Sequence, residues 1–186
     1  MKNKQTTSQR IRFLAVTGLI AGLYTALTLV LAPISFGPVQ CRVSEALTIL
    51  AAYTPAAIPG LTIGCVISNV VGLTMGANVA GALDILLGTL ATGIAAWLTY
   101  RLRHFRIKGL PFWASIPPVI TNALIVGTEL AVVLNPDLTA YGWLGWVGSV
   151  GAGQVIACMG GGLLLAGLLQ KSGLATQLER NDYTFR

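Results

Sequence analysis

Residues 46–83, ALTILAAYTPAAIPGLTIGCVISNVVGLTMGANVAGAL, run for 38 positions without a charged side chain, and the way this stretch divides decides the fold. As one helix it would measure about 57 Å at 1.5 Å per residue. That is far more than the roughly 30 Å of hydrocarbon that about 20 apolar residues cross. Pro55, Pro59 and Gly60 fall inside it, and proline both removes a backbone donor and clashes with the preceding turn. The stretch therefore predicts two short helices, residues 43–54 and 58–73, and then a glycine-rich return over residues 74–81.

On either side the chain divides at its charges. Residues 13–31 carry none and end at Ala32-Pro33, which gives a first helix. A fourth helix occupies residues 82–100, a fifth residues 112–134, and a sixth most of residues 143–169. The reading is an all-α integral membrane protein with six transmembrane helices. Residues 1–12 form a cytoplasmic entry, 13–170 a single membrane domain and 171–186 a polar cytoplasmic tail. Composition agrees: of the 186 residues, 54% are hydrophobic and 10% charged, against about 25% charged in soluble domains. A soluble enzyme, a secreted disulfide scaffold and a disordered tail are excluded.

Charge placement tests the count. Lys and Arg accumulate in short cytoplasmic loops. Six passes put the N-terminus, the loop RLRHFRIK (residues 101–108) and the C-terminal tail on one side, with 11 of the 12 basic residues; only Arg42 lies opposite. One pass fewer would separate the N-terminus from the basic loop and erase that asymmetry. The net charge of +6 is thus accounted for by membrane-flanking anchors facing anionic lipid, and nucleic acid is not an expected partner.

The acidic and amide residues left over concentrate on the other side. Glu129 stands 19 residues along from Leu110, about 28 Å up the fifth helix by its rise. Asp84 heads the fourth helix, and Arg42 and Glu45 head the second; Asp137 follows the fifth. Ionisable groups at membrane depth cost several kcal/mol unless paired, hydrated or turned inward, and are functional candidates by default. Arg42 and Glu45, spaced i,i+3, also suit an interfacial ion pair, and Asp84 suits a helix N-terminus. Asn69, Asn122 and Gln154 either bond between helices or line the same cup. Tyr141 and Trp143, with Trp146, belong to an interfacial aromatic belt or stack on a ligand.

No catalytic trio is apparent. Cys41, Cys65 and Cys158 are far apart and His104 lies in the basic loop, so neither a metal site nor a nucleophile with its base is expected. Gly18, Gly22 and Ala26 recur every four residues, as do Gly145, Ser149 and Gly153. Such small-residue stripes let helices approach closely, inside the bundle or against another protein.

Four segments carry a family resemblance: LAPISFGPVQCRVSEALTILAAYTPAAIPGLTIGCVISNVVG (residues 31–72), DILLGTLATGIAAWLTY (84–100), PPVITNALIVGTEL (117–130) and SVGAGQVIACMGGGLLL (149–165). Their order and their Pro, Gly, Asn and Glu landmarks, from about residue 19 to 165, resemble the QueT family. That family consists of S components, the substrate-binding subunits of energy-coupling factor (ECF) type ABC transporters of the prokaryotic plasma membrane. The resemblance implies a T component and two cytoplasmic ATPases as partners. It also implies contact with the T component through Gly18, Gly22 and Ala26, and a queuosine precursor of the 7-deazaguanine type as small-molecule cargo. The chain has no GxxxxGK[ST] phosphate loop, so ATP would be used by the partners and no cofactor bound directly.

A guanine-like edge presents two N–H donors that one carboxylate accepts side by side. Glu129, Asp84 or Glu45 would supply that carboxylate, and Asn69, Asn122 and Gln154 would read the rest of the edge. The alternative cargo is cobalamin or another corrinoid. Outside the transporter class stand a membrane-embedded transferase, which lacks a catalytic cluster, and a passive channel.

Overall fold

The computed structural model describes residues 2–37, 40–135 and 139–180, with the side chains of residues 2–6 and 180 left aside. Asp137, one of the sequence candidates, lies outside the described residues. The helices are α1 (Lys2–Val30), α2 (Ala32–Ser35), α3 (Ala57–Thr74), α4 (Leu83–Arg101), α5 (Ile116–Leu134), α6 (Ala140–Gln154), α7 (Gly162–Lys171) and α8 (Leu174–Arg180). A 3₁₀ helix, Val43–Ala52, precedes α3, and a π-helical segment, Val155–Gly161, joins α6 to α7. Five helical spans are long and apolar enough to cross a membrane: Thr7–Val30, Ala57–Thr74, Leu83–Arg101, Phe112–Leu134 and Ala140–Lys171.

The helix expected at residues 43–54 is the main correction. It is 3₁₀ rather than α, and its 10 residues reach only about 20 Å at 2.0 Å per residue, short of the hydrocarbon thickness. It is also an interior element, with eight of its residues buried. At one end the preceding Arg42 meets Asp84 at the head of α4. At the other, Tyr53 lies against Arg106 and Gln170, beside the basic loop and the foot of α7. The chain thus descends through the middle of the bundle instead of along its lipid-facing surface. The tail carries a helix that the sequence reading did not specify. Residues Leu174–Arg180 form α8, whose Ala175 and Leu178 pack on the core near Tyr53 and whose Glu179 pairs with Arg106.

Lipid tails are as apolar as leucine, so helices in a membrane hold together through close packing and interhelical hydrogen bonds. The α1–α3 contact shows both. Gly60 and Gly64 of α3 lie so close to α1 that a Cβ on either would stand 2.9 Å from the Thr17 or Ala21 carbonyl oxygen, respectively. Thr17 donates to the Ala56 carbonyl and Thr25 to that of Gly64, each at 3.2 Å. The stripe Gly18, Gly22 and Ala26 is on the other face of α1: all three are exposed, and Gly18 and Gly22 have open space around them. Its buried counterpart is Thr17, Ile20, Ala21, Tyr24 and Thr28.

This asymmetry gives a paired expectation. Gly64→Ala should destabilise the protein by about 1–3 kcal/mol through overpacking against backbone, while Gly22→Ala should stay within about 0.5 kcal/mol of the parent. Thermal unfolding in detergent measures the difference. Equal melting of the two variants would contradict the close approach of α1 and α3.

The return between α3 and α4 turns at Gly76 and Gly81, both with positive φ (68° and 71°), where a side chain would be strained. It carries Asn78 back under the bundle rim, 7% exposed.

Candidate functional site

At the end of the bundle away from the basic loop, polar side chains from four segments converge. Arg42 and Asp84, 42 positions apart, form an ion pair at 2.8 Å with side chains 4% and 0% exposed. The Arg42 guanidinium also lies over the Phe36 ring, 5.3 Å from its centroid, and donates to Cys65 Sγ at 3.6 Å. Phe36 has its place because α3 carries Gly72: a Cβ there would stand 2.6 Å from the ring. Asn78 donates to Asp84 Oδ2 at 3.0 Å, and Asn69 donates to the Asp84 carbonyl at 2.6 Å. Gly88, one turn along α4, leaves room for the other carboxylate oxygen, since a Cβ there would stand 2.0 Å from Asp84 Oδ1.

Glu45 lies in an adjoining cage of hydroxyls. Tyr24 and Thr92 donate to its Oε1 and Thr48 to its Oε2. Thr92 also donates to Cys65 Sγ at 3.5 Å, which joins this cage to the Arg42 cluster. The i,i+3 pairing of Arg42 with Glu45 suggested by the sequence is therefore not formed; Arg42 finds Asp84 across the bundle, and Glu45 finds Tyr24 and Thr92 across it and Thr48 one turn on. Asp84 likewise does more than face a helix dipole, since its carboxylate is the counter-ion of Arg42.

Glu129, in the last third of α5, is 3% exposed, and both of its carboxylate oxygens are buried without a hydrogen-bond partner. It lies within electrostatic range of Asp84 and Arg42. Asp84 Oδ1, Asn69 Oδ1 and Gln40 Nε2 are also buried and unpartnered. A buried polar atom without a partner carries a desolvation cost of about 1–3 kcal/mol, more when charged. Several such atoms at one end of a bundle mark a place built to be completed by something else. Four of these atoms are carboxylate or amide acceptors, beside the hydroxyls of Ser35 and Thr89 and the Gln40 amide donor, and one buried guanidinium stands against three buried acidic side chains (Glu45, Asp84, Glu129).

Asn122 and Gln154 form their own pair, Nδ2 to Oε1 at 3.3 Å. Cys158 Sγ donates to the same oxygen and to the Glu45 carbonyl, tying this pair to the π segment and the 3₁₀ helix. The aromatics divide. Trp143 is half-buried and donates from its indole to Thr128 Oγ1 at 3.0 Å, whereas Tyr141 is 89% exposed and joins no part of the cluster. The interfacial reading fits Tyr141. Trp146 packs on the buried group of Ala80, Val126, Leu130 and Val150, at the same end as Glu129. Among the described residues, no group of three or more His, Cys, Asp or Glu side chains is placed to hold a metal ion.

Gln40 and Asn78 were not among the sequence candidates. Both are single amides in loops rich in Pro or Gly, where no periodicity marks a facing side chain. The available signal was position: Gln40 is two residues before Arg42, and Asn78 is isolated in an otherwise apolar run.

The family model described as QueT transporter matches residues 14–171 of the chain. The queuosine precursor transporter QueT of Lactococcus lactis subsp. cremoris is 40% identical over 76 residues, an alignment that covers 40% of this chain and 41% of that protein. The matched stretch thus spans less than half of either. No solved structure matches the chain.

Proposed function

Because the chain belongs to the QueT transporter family and is a multi-pass protein of the prokaryotic cell membrane, we propose that it captures a queuosine precursor of the 7-deazaguanine type at the outer face. On this reading it is the substrate-binding subunit of an ECF-type importer, and a T component with two cytoplasmic ATPases drives delivery. The observation that carries the cargo assignment is Glu129, a buried carboxylate with two free oxygens beside an ion pair. A guanine-like edge offers N1–H and a 2-amino N–H side by side, and one carboxylate accepts both. Asn69 Oδ1 and Asp84 Oδ1 supply further acceptors to the ring and its substituent.

The outward-facing stripe of Gly18, Gly22 and Ala26 supports a T component as partner, because small residues on a membrane helix suit close approach of another helix. Closed inside the bundle, the stripe would have had no surface to offer.

Uptake tests the proposal. Cells making the chain together with the T component and both ATPases are expected to accumulate a 7-deazaguanine-type precursor, and cells making the chain alone are not. Accumulation by the chain alone would point to a passive channel. A coloured chromophore co-purifying with the chain would point to a corrinoid cargo.

A further inference from the structure

The buried unpartnered atoms of the site have a pattern. Four of them are acceptors, namely Glu129 Oε1 and Oε2, Asp84 Oδ1 and Asn69 Oδ1; the hydroxyls of Ser35 and Thr89 can act either way, and Gln40 Nε2, two residues before Arg42, is an amide donor. Gln40 is 2% exposed. Its backbone is fixed from two sides. Its carbonyl presses on α6 where Gly153 leaves room, a Cβ there being 2.2 Å from the Gln40 oxygen. The next residue, Cys41, donates its N–H to the Ile34 carbonyl at 3.1 Å and its thiol to the Gly153 carbonyl at 3.4 Å. Two residues of extended chain reach at most about 7 Å, so the Gln40 backbone remains close to that of Arg42, whose side chain forms the ion pair. A fixed backbone with a buried donor left unused is a recognition element awaiting an acceptor.

We propose that Gln40 is a specificity-determining residue that donates from Nε2 to the ring carbonyl of the ligand and so selects a 6-oxo over a 6-amino 7-deazapurine. This rests on the reading of the site as a 7-deazaguanine pocket. The 6-oxo edge presents acceptor, donor, donor in sequence. Gln40 answers the first, and the two oxygens of Glu129 answer the second and third. A 6-amino group in the same place would set a donor against a donor, and the ring N1 beside it, which then carries no hydrogen, would set an acceptor against Glu129. Sites built around a polar contact reject the mismatched analogue because their own buried groups are then left unpaired.

The test is equilibrium binding of 7-deazaguanine and of 2,6-diamino-7-deazapurine to the purified parent, Gln40→Leu and Gln40→Glu. The parent should prefer 7-deazaguanine. Gln40→Leu should weaken that ligand by at least about tenfold, the worth of one hydrogen bond, with little effect on the diamino compound. Gln40→Glu, which accepts where glutamine donates, should shift preference towards the diamino compound. A parent that binds 7-deazaguanine while both Gln40 variants keep its affinity and preference would overturn the role of Gln40 and leave the pocket assignment standing. A parent that binds neither compound would overturn both. Gln40→Leu keeps the test meaningful should the added carboxylate of Gln40→Glu impair folding, and melting curves of all three proteins monitor this.

Discussion

Arg42→Met is expected to destabilise the protein by about 3–5 kcal/mol, the usual cost of removing one partner from a buried ion pair. The Asp84 carboxylate, fully buried, would keep only the Asn78 amide as a side-chain donor, and Phe36 would lose the cation above its ring. Arg42→Lys should recover only part of the loss, because an ammonium lacks the planar fork that reaches Asp84 and Cys65 together while stacking on Phe36. The double variant Arg42→Met/Asp84→Leu should be more stable than Arg42→Met alone, since apolar replacement of a whole buried pair is often neutral or stabilising. Thermal unfolding of the three variants checks this. A double variant no more stable than the single would mean that the pair is not the dominant interaction at either residue.

Glu129→Gln is expected to move stability and binding in opposite directions. Without ligand, the parent holds a buried carboxyl group whose two oxygens have no partner, so exchanging it for an amide of the same shape removes no hydrogen bond and should raise the melting temperature or leave it unchanged. Ligand binding should suffer, because the amide offers one acceptor where the carboxylate offers two and sets an N–H against a ligand N–H. Hydrogen bonds to charged groups are worth about 1.5–3 kcal/mol, or roughly ten- to 150-fold in affinity. A structural role would give the reverse stability result. Glu45 supplies the contrast: its carboxylate already accepts from Tyr24, Thr92 and Thr48.

Helix positions were legible wherever charge or proline punctuates an apolar run. The sequence boundaries 58–73 and 82–100 lie within one residue of α3 and α4, because Pro55, Pro59 and the basic residues at 101–108 leave few other places to turn. The 3₁₀ character of Val43–Ala52 was not legible. Its residues, VSEALTILAA, suit an α-helix by propensity, and its extension accompanies anchors that hydropathy does not record, at Arg42 on one side and Tyr53 on the other. The candidate site was legible in composition but not in pairing. Scarce carboxylates and amides in an apolar chain point to function, yet local spacing favoured Arg42 with Glu45 while the counter-ion came from 42 positions away. Small-residue stripes show the same limit: Gly60 and Gly64 pack inside and Gly18 and Gly22 outside, though the spacing of the two pairs is identical.

Whether the buried acceptors around Glu129 form a substrate pocket is decided by titrating 7-deazaguanine into the purified parent and Glu129→Gln, side by side. The parent should bind saturably with one ligand per chain, and the curve for Glu129→Gln should be displaced by at least about tenfold although the variant melts no lower. No saturable binding to the parent, or superimposable curves for the two proteins, would contradict the pocket.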